Sequence, residues 1–132
     1  MSLDTEVLLQ AAAKAAKLAY APYSKFSVGA AVQTASGKIF SGCNVENASY
    51  GLTMCAERTA ALKAVSEGER DIIAVALCSE GAAYPCGACR QVLSEFGPDM
   101  EVIIGDASGQ FSEQMPLSNL LPKAFGPDFK KA

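Results

Sequence analysis

Residues 55–57 read Cys-Ala-Glu, residues 85–89 read Pro-Cys-Gly-Ala-Cys, and the chain contains no histidine. Three thiols and one carboxylate can hold a zinc ion and move protons beside it, and no imidazole is present for either task. Cys86 and Cys89 stand three apart at a predicted helix start, so both thiols project from one face. Cys55 stands at the start of another predicted helix. Helix N-termini favour the thiolate, the form that binds metal, so two such ends meeting would gather three ligands. Three protein ligands leave a fourth tetrahedral position for water, the pattern of a catalytic zinc, one per chain. A lone Cys-x-x-Cys also reads as a redox pair or half of a zinc ribbon. A closed structural zinc would need Cys43 or Cys78 as its fourth ligand. Cys78 ends an apolar run, where a thiol packs as a small hydrophobe.

Glu57 follows Cys55 by two. It reads either as a first-turn acid favoured by the helix dipole or as the general acid/base beside the metal. With histidine absent, the site makes the second role necessary. Arg58, three after Cys55, lies on the same helical side. It is either a solvated surface arginine or a donor to the thiolate sulfurs. Three thiolates on one divalent ion leave a net charge of about −1, which a guanidinium would offset.

The elements that must position these groups follow from patterning. A helix is predicted over 4–20, capped by Asp4, with Leu8, Ala11, Ala12, Ala15 and Leu18 on one face and Pro22 as its stop. Ser27–Thr34 and Lys38–Val45 read as a hairpin around Ser36-Gly37. Thr53 caps a second helix of 54–66, which Gly68 closes. Asp71–Ser79 is a buried strand, Cys86–Phe96 a third helix stopped by Gly97-Pro98, and Met100–Gly105 a strand. Asp106–Gly109 turns into a strand near 110–115, and the tail is irregular. The order α-β-β-α-β-α-β-β predicts an α/β fold, a three-layer α-β-α sandwich around a five-stranded mixed sheet. The last connection is too short for a crossover, so the last two strands should be antiparallel.

The 132 residues suit a single domain over 1–132. Half of them are hydrophobic and 19% charged, which argues against disorder. A net charge of −3 and a pI near 4.9 argue against a nucleic-acid surface and favour a small-molecule ligand. No apolar run reaches the roughly 18 residues of a membrane span. Five cysteines, clustered as ligands with no secretory leader in view, suggest a reducing cytoplasm. Asn47-Ala48-Ser49 matches a glycosylation sequon and is read as chance in that setting.

Asn44 and Glu46 lie two apart on a predicted strand and so share a face. An amide beside a carboxylate offers donors and acceptors for vicinal hydroxyls such as those of a ribose. Turn chemistry at the end of the strand is the other reading. Phe26 is either core or a lid on a flat ring.

At these residues the chain resembles the cytidine deaminases, the small zinc-dependent homotetrameric class. The matching segments are Tyr20-Ala-Pro-Tyr-Ser-Lys-Phe-Ser-Val-Gly-Ala-Ala-Val32, Asn44-Val-Glu-Asn-Ala-Ser-Tyr-Gly51, Cys55-Ala-Glu-Arg58, Pro85-Cys-Gly-Ala-Cys-Arg-Gln91 and Leu120-Leu-Pro-Lys-Ala-Phe125. The resemblance implies deamination of cytidine and 2′-deoxycytidine to the uridines with release of ammonia. It places Cys55, Cys86 and Cys89 on zinc and Glu57 as proton shuttle. It places Phe26, Asn44, Glu46 and Ala56 against the substrate, with Asn44 and Glu46 on the ribose hydroxyls and Phe26 against the base. Ala48, Tyr50 and Phe125 would reach a neighbouring subunit's site. Two rivals remain open. One is a blasticidin-type nucleoside deaminase, against which Asn44-Val-Glu46 argues. The other is a zinc-stabilised binding module, which would not need Glu57 and would close its fourth ligand position.

Overall fold

Alternation along the strands builds two cores, one on each face of a sheet. The protein, represented by a computed structural model, is described over residues 3–127, so both ends of the expected 1–132 domain lie outside the described residues. Helix α1 (Thr5–Ala16) is followed by the hairpin β1 (Val28–Thr34) and β2 (Ile39–Cys43), a 3₁₀ turn (Tyr50–Leu52) and α2 (Ala56–Ser66). Then come β3 (Ile72–Ser79), α3 (Gly87–Phe96), β4 (Glu101–Gly105), β5 (Phe111–Pro116) and a single turn of helix, α4 (Leu117–Leu120). The five strands form one sheet in the order β2-β1-β3-β4-β5.

Side chains alternate across a strand, and here each parity finds a helix. Ala31, Ala74, Ala76, Cys78 and Ile103 pack under α1 against Leu8, Leu9, Ala12 and Ala13. Ala30, Val32, Val75, Leu77, Val102 and Ile104 pack on the other face against Ala56, Ala60, Ala64 and Leu93 of α2 and α3. The result is the three-layer α-β-α sandwich. Strand β3 is apolar on both faces because both are covered. β3 and β4 run parallel, with α3 as the crossover between them. β4 and β5 pair antiparallel, joined by a turn in which Asp106 Oδ1 accepts from Ser108 N at 2.9 Å and Gln110 N at 3.0 Å. The layers approach closely at Gly29, where a Cβ would stand 1.9 Å from the Ala12 carbonyl oxygen. Only glycine lets α1 lie against β1 there.

Four expectations about the elements need correction, and three share a cause. The first helix ends at Ala16 rather than 20, and Leu18 is 78% exposed rather than part of the buried face. The chain turns early because the Tyr20 backbone pairs elsewhere: Tyr20 N donates to Asn44 O and Glu46 N donates to Tyr20 O. Strand β2 ends at Cys43 rather than Val45 because Val45 exchanges hydrogen bonds with Met54. Asn44 and Glu46 are therefore in a bridged loop, not on one face of a strand. Thr53 does not cap α2, whose N-cap is Cys55. The fourth concerns the tail, whose first turn is the helix α4, seated by buried Leu117 and a bond from Leu117 N to Met100 O. No helix among the described residues is long and apolar enough to cross a membrane.

Candidate active site

Cys55 and Cys86 are the N-cap residues of α2 and α3, and neither side chain accepts from its own helix's first amides. An N-cap that does not cap keeps its sulfur free for another partner while still standing in the positive end of the helix dipole. The two helices pack against each other, and the ends meet. Cys89, one turn into α3, is wholly buried. The three sulfurs lie within 4.8 Å of one another, and Cys86 Sγ is 3.2 Å from Cys89 Sγ.

This donor set fits zinc. Bonds of about 2.3 Å at tetrahedral angles separate sulfurs by about 3.8 Å. The observed separations, 3.2 Å for Cys86–Cys89 and none above 4.8 Å, are close enough for three sulfurs to share one ion. Arg58 Nη2 donates to Cys55 Sγ at 3.2 Å. Its buried Nε has no partner among the described residues, which leaves a donor of the guanidinium unspent beside the sulfurs. Contact with the Cys89 thiol, then the Arg58 guanidinium, brings the Cys55 thiol down to about 5 against the opposing effect of burial. Cys89, the proton-holding partner of that pair, is pushed up. Neither of the remaining cysteines joins the cluster. Cys78 is buried under α1, donates to Leu9 O at 3.3 Å, and is pushed up to about 11 chiefly by burial.

Glu57 is 4% exposed on the first turn of α2. Burial pushes its carboxyl up from the ordinary range, and the nearby Cys55 charge adds to the effect, while a bond from its own amide opposes both. A carboxyl raised in this way holds a proton more readily than a free one, which suits a group that must take protons and give them up again.

Above the cluster lies a cavity of about 230 Å³ whose wall includes Phe26, Asn44, Glu46, Ala56 and Glu57. Cys55 and Cys86 open onto it, while Cys89 is wholly buried and stands outside its lining. A shallower groove of about 280 Å³ adjoins it through Ser24, Glu46 and Thr53 and includes Tyr50. Asn44 Oδ1 accepts from Val28 N at 2.9 Å, and its Nδ2 donates to Phe26 O at 2.8 Å. An amide has two donors and two acceptor sites, so one of each remains free for a ligand. Asn44 thus braces the chain, in line with the turn reading, and also lines the cavity. Phe26 is 39% exposed at the cavity and is not core.

Ala48 and Tyr50 are exposed and neither lines the cavity onto which Cys55 and Cys86 open; Tyr50 is edge-on to Tyr23, with ring centroids 5.8 Å apart. Phe125 is 59% exposed on a tail that α3 ties down: Arg90 Nη1 donates to Leu120 O and Gln91 Nε2 to Phe125 O. Arg90 Nε also holds Pro85 O at 2.8 Å, so one side chain links the Cys86 loop to the tail. Spacing gave no sign of this link. The cationic Arg90 and the amide Gln91 next to Cys89 were its only trace.

The family description "Cytidine and deoxycytidylate deaminase zinc-binding region" matches residues 2–106. A cytidine deaminase of Halalkalibacterium halodurans is 48% identical over 93% of this chain and 95% of its own length. One from Mycobacterium tuberculosis is 43% identical over 96% of this chain and 92% of its own. The crystal structure of cytidine deaminase from Burkholderia pseudomallei superposes with a TM-score of 0.87 at 48% identity, covering 93% of this chain and all of that one. That structure shares the five-stranded sheet and its flanking helices. With the sulfur cluster at the foot of its cavity and this match along nearly its whole length, the chain belongs to the cytidine and deoxycytidylate deaminase family.

Proposed function

We infer that the protein is a zinc-dependent cytidine deaminase that hydrolyses cytidine and 2′-deoxycytidine to uridine and 2′-deoxyuridine with release of ammonia. One observation carries the reading: a buried carboxyl, Glu57, shares a cavity wall with two thiols of a three-sulfur cluster. Cys55, Cys86 and Cys89 would hold the zinc. When bound, the ion supplies a Lewis acid that makes water ionise near neutral pH. Glu57 would take a proton from the attacking water and deliver it to the ring nitrogen N3, then take the proton of the new C4 hydroxyl and deliver it to the departing amine. Water adds, ammonia departs, and the ring keeps a carbonyl. Asn44 and Glu46 bind the ribose hydroxyls, Phe26 lies against the base, and Ala56 leaves room beside it. The decisive experiment measures zinc content and ammonia release from cytidine on one preparation. One zinc per chain with turnover is expected. Zinc without turnover would return the protein to a binding module, and turnover only of a modified cytosine nucleoside would favour a blasticidin-type enzyme.

Arg58 offsets the excess negative charge of three thiolates. Arg58→Ala should lower kcat about tenfold while zinc stays bound, because the bound water becomes harder to ionise. The rise of rate with pH should move to higher pH. An unchanged pH–rate profile would reduce Arg58 to a surface residue.

The protein is further proposed to act in the cytoplasm, in pyrimidine salvage, as one domain over 1–132 assembled into a homotetramer. Tyr50 and Leu52, 74% and 68% exposed, support assembly together with Phe125. Apolar groups clustered on loops indicate a covered surface, and Ala48, Tyr50 and Phe125 would reach a neighbour's site. Light scattering should give a tetramer, and Phe125→Ala should raise KM without changing zinc content. A fully active monomer would overturn this arrangement.

A further inference from the structure

The carboxylate of Glu46 is gripped by the loop opposite. Its Oε1 accepts from Tyr23 N at 2.9 Å and Ser24 N at 3.1 Å, and its Oε2 accepts a short hydrogen bond from Ser24 Oγ. Ser24 Oγ in turn accepts from Phe26 N at 3.0 Å. These directions are forced. A backbone N–H only donates, an ionised carboxylate only accepts, and the hydroxyl between them does both. A carboxylate offers about four acceptor sites. Three are taken, and the one that remains is on Oε2, the oxygen bonded to Ser24 Oγ. The same hydroxyl is the largest influence holding the Glu46 carboxyl below its ordinary range. The loop itself is held in shape: Lys25 sits at φ +62°, and Lys25 N donates to Ala21 O at 3.0 Å. A lysine keeps that left-handed conformation only where its surroundings impose it.

We propose that Ser24 is a positioning residue for sugar recognition: its hydroxyl fixes the rotation of the Glu46 carboxylate so that the last acceptor site on Oε2 meets a ribose hydroxyl. This rests on the reading that Glu46 binds the sugar. Two backbone amides anchor Oε1, but a carboxylate held by one oxygen still swings about it. Ser24 supplies the second point. Because the hydroxyl also receives the Phe26 amide, the sugar-reading carboxylate and the base-facing ring share one hydrogen-bonded unit.

The test compares cytidine with 2′,3′-dideoxycytidine, which lacks both ring hydroxyls, on the zinc-loaded parent enzyme, Ser24→Ala and Ser24→Thr. The readout is the ratio of kcat/KM for the two nucleosides, in which any loss from a displaced Phe26 cancels. Ser24→Ala should lower that ratio about tenfold, through KM for cytidine, the effect of one hydrogen bond to a charged group. Ser24→Thr, which keeps the hydroxyl, should restore most of it. Ser24 is exposed, so the thermal midpoint and zinc content should match the parent in both variants. Equal losses on both nucleosides, or none on either, would overturn the proposal and leave the Glu46 reading intact. A parent enzyme that fails to prefer cytidine would overturn both.

Discussion

Glu57→Gln should bind zinc and fold as the parent does, yet deaminate cytidine about 10³–10⁴-fold more slowly. The amide matches the carboxylate in size and fills the same buried place on the first turn of α2, so neither the helix end nor the cavity should change shape. It has no basic oxygen and no acidic proton. General acid–base groups contribute typically about 10²–10⁴-fold. The loss belongs at the upper end because one side chain serves several transfers: from water, to N3, and to the leaving amine. No second group stands ready, since the chain has no histidine and the other carboxylate in the cavity wall, Glu46, is held by the 23–24 loop. Single-turnover measurement on protein of verified zinc content separates the chemical step from binding. Near-normal turnover in a zinc-replete variant would remove Glu57 from the mechanism.

What made Glu57 legible is that its setting is local. Cys55, Glu57 and Arg58 lie within one helical turn, and so do Cys86 and Cys89. At that range spacing alone fixes which side chains are neighbours. The start of α3 at Cys86 was legible too, and the short turn at 106–109 limits how its strands can pair. The contacts that shape the Asn44–Glu46 side of the cavity were not legible, because they are long-range. Tyr20 pairs with the backbone around Asn44 and Glu46, and the 23–24 amides meet the Glu46 carboxylate across more than twenty positions. Periodicity carries no information about such pairs. That is why spacing predicts too long a first helix, places Leu18 on its apolar face and carries β2 through Val45. Thr53 failed as a cap for a related reason. A good N-cap residue stands two positions before the actual N-cap, but the bond from Thr53 N to Tyr50 O and the Met54–Val45 bridge fix the chain outside the helix until Cys55. The cap with no capping bond was chemically the more informative residue.

The cysteines proposed as zinc ligands differ in burial, and that difference makes their substitution diagnostic. Cys86 is exposed and Cys89 is wholly buried. Cys86→Ala removes a sulfur from the cavity rim with little packing to lose, so any destabilisation must come from weaker metal binding. Cys89→Ala removes the same ligand type and also leaves a small void behind α3. Both variants should hold far less than one zinc per chain and lose activity in proportion, because each sulfur is one of only three ligands. Zinc bound to the folded state stabilises it by linkage. A strong chelator should therefore lower the melting temperature of the parent protein and leave Cys86→Ala nearly unmoved, since that variant starts without the ion. Cys89→Ala should melt lowest of the three. Cys78→Ala provides the contrast: its thiol lies on the opposite face of the sheet under α1, so stability should fall while zinc content stays at one per chain. Metal analysis that finds a full complement of zinc in Cys86→Ala or Cys89→Ala would place the ion elsewhere and take the proposed chemistry with it.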